Sequence, residues 1–410
     1  MDLIIRNSKL VNPDLPEFHA LTIIDDAKSI LWISKYYEVG TFEIYISVNS
    51  RSAAYLKPGY YVTQAEDENN QDLHKKNSVG IIEKIRTDET PDGEFYIVTG
   101  RMAESILSYR IAQSLTNLKG DIALSIHKLI TDNFINPAVA TRKIDIISIA
   151  ADELILSDRN ISDQIELGEN ILSYIQETLK AVNSAIKLGL DLETGKFKVY
   201  LWTGLDYSID QKVNPQVIFS KEYDNLLSFS YEYDSSTIAN AALVAGEEIE
   251  GESRPIGKYE TPNLVSGLAR REFFVDAKDS KKTVDYNEYT AALTAAGITW
   301  SVNDSKLSYG GGVTGTVIYD NDNVPTQIVL TDSVYNEILV NRGYDRVTRA
   351  TELVEGEINL TNYKYKDDFY LGDLVTIFND NLGIYTNCRI IEIQEVDDEN
   401  GYQIVPIFEK

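Results

Sequence analysis

The sequence predicts an α+β fold that is mainly β, built from two similar antiparallel β-barrel modules with α/β insertions between them. Three observations predict it: short alternating apolar runs fill the first hundred and the last fifty residues, apolar residues spaced three and four apart lie between them, and one strand pattern occurs twice. The predicted units are a first module at 1–103, an α/β insertion at 104–215, return strands shared between the modules at 216–275, a second small α/β insertion at 276–350 and a second module completed at 351–410.

The first module is predicted from apolar runs that end at turn residues. Thr41–Val48 places apolar side chains at every second position, as expected of a strand with one buried face. Asp92 and Gly93 separate two such runs, and both residues tolerate the positive φ of a tight hairpin. Asp67–Lys76 is expected to be a polar loop. The predicted strands are Leu21–Ile24, Ile30–Ser34, Thr41–Val48, Tyr60–Gln64, Gly80–Arg86 and Glu94–Gly100.

Helical spacing follows the first module and marks the first insertion. Ser162 or Asp163 is expected to cap a helix that enters at Ile165, because short polar side chains favour the residue before a helix. The predicted helices are Ala103–Ile111, Asp121–Asn133 and Glu169–Ile186, and the predicted strands among them are Ile144–Ile149 and Phe197–Trp202.

Strand patterns return from residue 216 onward, interrupted by one helix and one loop. Gly246–Pro262 is rich in Gly, Glu and Pro and is expected to be an exposed loop. Tyr286–Ala296 predicts a short helix. The predicted strands are Val217–Phe219, Leu226–Tyr233, Ala241–Ala245, Lys306–Tyr309, Thr316–Tyr319, Gln327–Leu330, Leu374–Phe378, Cys388–Val396 and Tyr402–Phe408.

An internal repeat links the two ends of the chain. In each copy a glycine precedes a strand, a polar loop leads to an Ile-Ile strand, and a second glycine begins the return strand of a hairpin. The intervals are comparable, 59 to 81 against 372 to 390 and 82 to 93 against 391 to 401. The pattern favours duplication of one β-module, although the same order of glycine, strand, loop and hairpin also suits unrelated β-barrels.

Charge and composition exclude several classes of function. The chain has 410 residues, a formal net charge of −26 and a pI near 4.5, so its surface repels phosphate backbones and anionic lipid. A single cysteine, Cys388, excludes a disulfide framework and a cysteine-based zinc cluster. No secretory leader and no apolar run of about 18–20 residues is evident. We expect the protein to be made in the cytoplasm and to stay soluble until it assembles with a partner.

The motifs of common enzymes and cofactor sites are absent from the sequence. His19, His74 and His127 are scattered without ligand spacing, and no hydrolase or protease motif occurs. Gly310–Gly315 matches the dinucleotide-binding pattern by letter, but the β-branched run Thr316–Tyr319 follows it where that motif needs a helix. A flexible hairpin is therefore the prediction, and we expect no catalytic residue, no metal site and no cofactor.

Four segments, in a fixed order along the chain, carry a resemblance. They are Val79–Ile85 with Ile97–Arg101 and Leu107–Ile111, Ala245–Gly251 with Arg254, Gly267–Asp279, and Tyr365–Thr376. Together they resemble the siphophage tail hub family, baseplate hub-like minor tail proteins that are similar to the N-terminal hub part of tail-associated lysins. Glu248 and Glu250 depart from the glycine pattern of that family. The residues that the resemblance singles out as motif or structural residues are Gly80, Gly100, Arg101, Arg110, Gly246, Gly251, Arg254, Arg270, Arg271, Asp276, Asp368, Gly372 and Asp373.

The resemblance implies a structural virion protein of a tailed phage or phage-like particle, and not an enzyme. Members form a homotrimeric ring in which each subunit supplies two similar β-barrels, so that a trimer presents pseudo-sixfold symmetry to the tail tube. The implied partners are the tail tube or distal tail protein, the C-terminus of the tape-measure protein, and tail-tip, spike or receptor-binding proteins. DNA would pass through the lumen without specific binding, and no membrane insertion is implied.

Two alternatives stay open at this point. A tail-associated protein that binds the cell wall or hydrolyses peptidoglycan is the second interpretation, although the chain ends directly after a strand, where some relatives continue into a hydrolase. Arg270 and Arg271 with Asp276 form either an ion-pair network at a domain junction or an ordinary charged surface.

Overall fold

The fold is taken from a computed structural model that describes residues 1–67, 79–150, 159–228, 230–251, 253–263, 266–347, 351–355, 358 and 363–410. Most regular elements are strands, so the mainly β, α+β class is confirmed. The predicted loop Asp67–Lys76 and His74 lie outside the described residues, apart from the beginning of that loop. Phe229, within the predicted strand Leu226–Tyr233, also lies outside them. Among the described residues, no helix is both long and apolar enough to cross a membrane.

The first module is an antiparallel sheet in which β3, β4, β7, β6, β5, β1 and β2 are neighbours in that order. Trp32, Phe42 and Val98 are buried in its core because apolar residues alternate along its strands. Its strands are β1 (Leu3–Arg6), β2 (Ala20–Ile24), β3 (Ser29–Lys35), β4 (Thr41–Ser47), β5 (Tyr61–Gln64), β6 (Gly80–Thr90) and β7 (Gly93–Met102).

The first insertion has its own core, formed between two amphipathic helices and two small sheets. Asp121 and Asn170 cap its helices by accepting backbone N–H groups of the first turn. Its elements are the 3-10 helix Ala103–Tyr109, β8 (Thr116–Asp121), α1 (Ile122–Ile130), a π-helical turn at Thr131–Ile135, β9 (Ile147–Ile149), β10 (Asn160–Ile165), α2 (Ile171–Lys180), β11 (Ala185–Asp191) and β12 (Lys196–Trp202).

The remaining chain forms the second module and the second insertion. A small sheet of β16, β15 and β17 and a sheet of β18 to β22 pack against α3 and α4 around a separate core. The elements are β13 (Ile218–Ser220), β14 (Ser230–Asp234), β15 (Ala241–Ala245), β16 (Ile256–Glu260), β17 (Glu272–Asp276), β18 (Thr283–Asp285), α3 (Tyr286–Ala295), β19 (Trp300–Asn303), β20 (Lys306–Tyr309), β21 (Gly312–Tyr319), β22 (Pro325–Leu330), α4 (Asp332–Arg346), β23 (Thr351–Glu355), β24 (Leu374–Asn379), β25 (Ile384–Asp398) and β26 (Gly401–Glu409).

Both modules contain the same order of strands within one continuous sheet. The order β14, β23, β26, β25, β24 in the second module repeats the order β3, β4, β7, β6, β5 in the first, and every neighbouring pair is antiparallel. The modules are joined because β25 also pairs with β3. The strand path of the described residues is open, with β14 at one end and β2 at the other.

The repeat seen in the sequence extends to individual backbone hydrogen bonds. The Gly59 amide donates to the Ile82 carbonyl at 2.7 Å, and the Gly372 amide donates to the Ile390 carbonyl at 2.8 Å. A β-bulge follows Ile82 and Ile390 in turn, and each hairpin returns at a glycine of positive φ, Gly93 or Gly401. The backbone therefore matches Ile82, not the predicted Ile81, with Ile390.

Several predicted elements of the insertions are wrong at their boundaries. The helix predicted at Glu169–Ile186 ends at Lys180, because the positive φ of Asn183 turns the chain into β11. Ser162 and Asp163 lie within β10 and cap no helix. The expected loop Gly246–Pro262 contains β16, which is stabilised by pairing with β15. The other elements without a predicted counterpart are α4, β1, β8, β10, β11, β17, β18, β19 and β23.

The glycine-rich segment is a hairpin, as predicted. Tyr309 pairs with Gly312 between β20 and β21, and Gly310 and Gly311 form the turn with φ of +59° and +84°. A strand, β21, follows in place of the helix that a dinucleotide site requires.

Candidate functional site

The pairing of β25 with β3, where the two modules meet, is the candidate functional site. The Tyr36 amide, at the end of β3, donates to the Ile391 carbonyl at 2.8 Å, and the register then runs from Glu392 opposite Lys35 to Asp397 opposite Ile30. The Lys35 ammonium lies 3.5 Å from the Glu392 carboxylate. We call the residues that surround this contact, Tyr36, Gly204, Gly372, Asp373 and Arg389, the module junction.

Tyr36 connects three parts of the chain at the module junction. Its ring is 1% exposed, and its hydroxyl lies 3.0 Å from the Asn183 carbonyl, 3.2 Å from the Trp202 carbonyl and 3.2 Å from the Gly204 amide, which donates to it. Burial raises the pKa of Tyr36 to about 12, so the hydroxyl stays protonated and able to donate. One tyrosine of the first module thereby fixes the insertion against both modules.

Gly372 permits the close approach of the second module to Tyr36. Its φ is +91°, and a β-carbon would lie 2.4 Å from Cε2 of the Tyr36 ring. The Gly372 carbonyl accepts a hydrogen bond from the Arg389 guanidinium, which lies 5.6 Å from the centre of the same ring. Only glycine meets both the backbone and the space requirement here.

Asp373 is a buried carboxylate at the same junction. It is 3% exposed and accepts the amides of Leu205 and Tyr370, each at 2.8 Å. Burial raises the pKa of Asp373 to about 7, although these hydrogen bonds and the nearby Arg389 favour the charged form. The junction therefore contains a group that titrates near neutral pH.

A polar cluster lies further along the β25–β3 pairing, at Glu395, which is opposite Trp32. Glu395, 1% exposed, accepts from Gln64 at 3.1 Å and from the Tyr402 hydroxyl at 2.8 Å. The Lys366 ammonium donates to the Gln64 carbonyl oxygen at 2.7 Å. The cluster takes residues from both modules, so their contact is satisfied by hydrogen bonds as well as by packing.

A second ion-pair cluster joins the two insertions. The Arg342 guanidinium of α4 lies 3.0 Å from Asp163 of β10 and 2.8 Å from Asp279, and the Tyr174 hydroxyl donates to Asp163 at 2.9 Å. Asp163 is 2% exposed, so its charge depends on these partners. The cluster fixes α4 against the first insertion.

Arg159 adds a further contact between the insertions. Its guanidinium lies 2.9 Å from Asp345 and stacks 3.7 Å from the centre of the Tyr344 ring. Burial raises the pKa of Asp345 to about 6, with Arg159 opposing the shift. Two arginines thus connect the insertions at neighbouring turns of α4.

Three of the residues that the sequence singled out meet at Arg254. Its guanidinium donates to the Gly246 carbonyl at 2.7 Å, to the Ala245 carbonyl at 2.7 Å and to Asp276 at 2.6 Å. Arg254 thereby connects the segment after β15 with the end of β17. Gly251 lies between β15 and β16, with φ of +82° and with open space around it.

The network expected of Arg270, Arg271 and Asp276 does not form as one unit. Arg270 pairs with Glu272 at 2.5 Å and with Glu260 at 2.8 Å, while Asp276 pairs with Arg254. Arg271 donates instead to the backbone carbonyl that follows β14. The strand order separates them, because Asp276 lies at the opposite end of β17 from both arginines.

The other residues from the sequence lie apart from the module junction. Gly80 and Gly100 flank the Phe42 ring, where β-carbons would lie 2.5 Å and 2.8 Å from its Cε1 atom. Arg101 forms a bidentate pair with Glu83, the bulge residue of β6.

The two remaining residues, Arg110 and Asp368, make hydrogen bonds with backbone groups. Arg110 donates to the Arg142 carbonyl at 2.9 Å, and Asp368 accepts the Lys364 amide at 2.8 Å in an exposed turn. Sequence reasoning missed Tyr36, Arg389 and Arg342. The available signal was for Tyr36, the first residue of the Tyr36-Tyr37 pair that follows β3, because a buried tyrosine usually finds a hydrogen-bond partner for its hydroxyl.

Comparison with known proteins identifies the family. A family model described as siphovirus ReqiPepy6 Gp37-like protein matches residues 9–408. The chain belongs to this family. A search of curated proteins finds no match.

Solved structures show the fold of this siphovirus family member. The chain is similar to a tail protein from Neisseria meningitidis MC58, with a TM-score of 0.50 and 13% identity over 100% of this chain and 96% of that one. It is also similar to the 43 kDa tail protein of prophage MuSo2 from Shewanella oneidensis, with a TM-score of 0.50 and 9% identity over 100% and 98% of the two chains. The chain thus belongs to a siphovirus protein family and has a fold similar to that of phage tail proteins, so the resemblance stated from the sequence is confirmed.

Proposed function

We propose that this chain is a tail-tip or baseplate hub protein, in which three copies form a ring with pseudo-sixfold symmetry that closes the tail tube and anchors distal tail-tip proteins. The observation that carries the proposal is the repeat of the same five-strand order and the same backbone hydrogen bonds in both modules. A chain with two equivalent modules supplies two of six equivalent positions, so three chains complete the set.

The partner with sixfold symmetry that binds one side of the ring would be the tail tube or the distal tail protein. The opposite side of the ring would anchor tail-tip, spike or receptor-binding proteins, and the C-terminus of the tape-measure protein would end at the hub. The net charge of −26 suits a lumen through which DNA moves without binding. We expect the purified protein not to shift double-stranded DNA in a gel at low salt, where electrostatic binding is strongest.

Light scattering behind size-exclusion chromatography tests the ring. Across a concentration series we expect a species with three times the 46.1 kDa mass of one chain, and rotational averaging of its electron micrographs should show six similar lobes. A mass that remains at one or two chains at every concentration would contradict the proposal.

The absence of enzymatic activity is part of the same proposal. A hub has a structural role, and the sequence contains no residue that we assign to catalysis. We expect no clearing of a host cell-wall zymogram, and clearing by the purified chain would favour the cell-wall hydrolase alternative.

A further inference from the structure

One side of β25 is used twice along its length. Its first half, Ile384–Arg389, pairs with β24, and beyond the bulge Glu392–Asp397 pairs with β3. The equivalent strand β6 pairs with β5 through Gly80 and Ile81. Beyond its own bulge, in the described part of the chain, β6 pairs only with β7 on its other side. We call Lys84–Asp88 the β6 edge.

A second open edge lies in the other module. β14 ends the strand order of the sheet and, among the described residues, is paired only with β23. It occupies the position in the second module that β3 occupies in the first. Trp32 of β3 lies opposite Phe42 of β4, and in the same way Tyr231 of β14 lies opposite Val354 of β23. We call Ser230–Asp234 the β14 edge.

We propose that the β6 edge of one copy pairs antiparallel with the β14 edge of the next copy, in the register that β25 and β3 use within the chain. The proposal rests on the ring proposed above and names its subunit contact. Lys84 of β6 is the equivalent of Glu392 of β25, and Asp234 of β14 is the equivalent of Lys35 of β3. Because Glu392 lies opposite Lys35 within the chain, Lys84 would lie opposite Asp234 between copies, and two residues further along Arg86 would lie opposite Glu232. Addition of a strand at a sheet edge supplies the affinity through main-chain hydrogen bonds.

Charge complementarity supports this partner and this register. Within the chain Glu392 of β25 faces Lys35 of β3. Between copies the cationic side chains would lie on the β6 edge and the anionic ones on the β14 edge, the reverse of the intrachain pair. Each of the two pairs, Lys84 with Asp234 and Arg86 with Glu232, would still bring opposite charges together. Opposite charges placed directly across an antiparallel pair are stabilising, and like charges are destabilising.

The other face of the same pairing is aromatic. Tyr231 is 38% exposed and Tyr233 is 56% exposed in the single chain. The register places Tyr233 opposite Ile85 and Tyr231 opposite Thr87, so ring assembly would cover both tyrosines. Exposed aromatic side chains at a sheet edge are typical of a surface that is buried in an assembly.

A pair of cysteines tests the register directly. Lys84→Cys with Asp234→Cys would occupy a non-hydrogen-bonded pair, because the neighbouring positions Tyr36 and Ile391 form the hydrogen-bonded pair of the intrachain template. Such pairs have Cα atoms about 4.5 Å apart, within the range that a disulfide spans. We expect covalent dimers and trimers on a non-reducing gel that revert to monomers on reduction.

The matched control moves one cysteine by one residue. In the variant Lys84→Cys with Tyr233→Cys the two thiols lie on opposite faces of the sheet, so we expect no cross-linking above the level of the unmodified chain. The native Cys388 is buried in the second module and is present in all three proteins.

Charge exchange gives an independent test. Lys84→Glu with Arg86→Glu should abolish the trimer at concentrations where the unmodified chain is trimeric, and adding Glu232→Lys with Asp234→Lys in the same chain should restore it. Both edge segments are exposed, so the variants should fold, which circular dichroism checks. An unchanged trimer in the first variant would overturn the proposal.

The outcomes separate the strand pairing from the ring. A trimeric mass without cross-links between the cysteines would overturn the pairing and leave the proposed hub intact. Cross-linked pairs that never close to three chains would support the pairing and overturn the threefold ring. If neither cross-links nor assembly occur at any concentration, the pairing between copies is wrong.

Discussion

Replacing Asp373 with asparagine should remove a pH-dependent part of the free energy of unfolding. The carboxyl group is buried at the module junction beside Tyr36 and Arg389, and burial raises its pKa from 3.8 to about 7. Between these two pH values the folded chain holds a proton that the unfolded chain has released. The unfolded state is therefore increasingly favoured as the pH rises from about 4 to about 7, and stability falls over that range.

The size of the effect follows from the pKa change. Each pKa unit corresponds to about 1.4 kcal/mol, so the change from 3.8 to about 7 amounts to about 4 kcal/mol over the whole range. Near the pI of 4.5 the protein has little net charge and is prone to precipitate, so the useful range starts higher. Between pH 5.5 and pH 7.5 the Asp373 contribution is about 2 kcal/mol.

Urea unfolding measured by tryptophan fluorescence is a suitable assay, because Trp202 lies 5.1 Å from Tyr36, ring centre to ring centre. The unmodified chain should lose about 2 kcal/mol more stability than Asp373→Asn between the two pH values. Asp367→Asn, an exposed position in the same segment, is the control for the charge change and should keep the slope of the unmodified chain. Equal slopes for Asp373→Asn and the unmodified chain would refute the raised pKa of Asp373.

Three further substitutions test the contacts between the parts of the chain. Arg342→Met leaves Asp163 and a second carboxylate without their guanidinium and should lower the free energy of unfolding by about 3–5 kcal/mol, seen as a lower urea midpoint. Gly372→Ala forces a β-carbon into the Tyr36 ring and should lose about 2–4 kcal/mol, whereas Gly383→Ala, also at positive φ but in open space, should lose only about 1–2 kcal/mol. Tyr36→Phe keeps the ring but removes the one hydroxyl proton that the Asn183 and Trp202 carbonyls share and the oxygen that accepts the Gly204 amide, and a fall of about 1–2 kcal/mol is expected in thermal unfolding. Unchanged midpoints for these variants would contradict the corresponding contacts.

Local patterns predicted the strands that alternation and turn glycines mark within a short segment, and they missed strands such as β8, β10 and β17 that lack those marks. Thr41–Val48 and the hairpin at Gly93 follow from residues that are close in sequence. The helix α4 was missed because Gly343 and several polar residues weaken its pattern, and its stability comes from packing against β15 and β16. Leu339, which closes over Gly257 of β16, is an example of such a contact.

The candidate site was only partly predictable for a related reason. Gly372 and Asp373 were singled out by resemblance, but their partner Tyr36 lies in the other module, and no local pattern connects residues so distant in sequence. Arg254, Gly246 and Asp276 were also singled out by resemblance, but the sequence grouped Asp276 with Arg270 and Arg271. The contact between Asp276 and Arg254 depends on the pairing of β15 with β17. Which of the residues singled out from the sequence contact each other is decided by the pairing of strands that are distant in sequence, and local propensity does not show that pairing.

The charges on β3, on β25 and on the β6 and β14 edges also limit which modules can become neighbours. If the β6 edge met β3 of another copy in the same register, Lys84 would lie opposite Lys35, and if β25 met a β14 edge, Glu392 would lie opposite Asp234. Each wrong pairing sets like charges directly across a pair, at a cost of up to about 1 kcal/mol per pair, whereas the observed pairing of β25 with β3 and the proposed pairing of the β6 edge with the β14 edge set opposite charges there. Duplication alone would have given two identical modules that pair in any order. Because the two copies differ at these positions, first and second modules can alternate around a ring, and an alternating ring of six modules contains three chains.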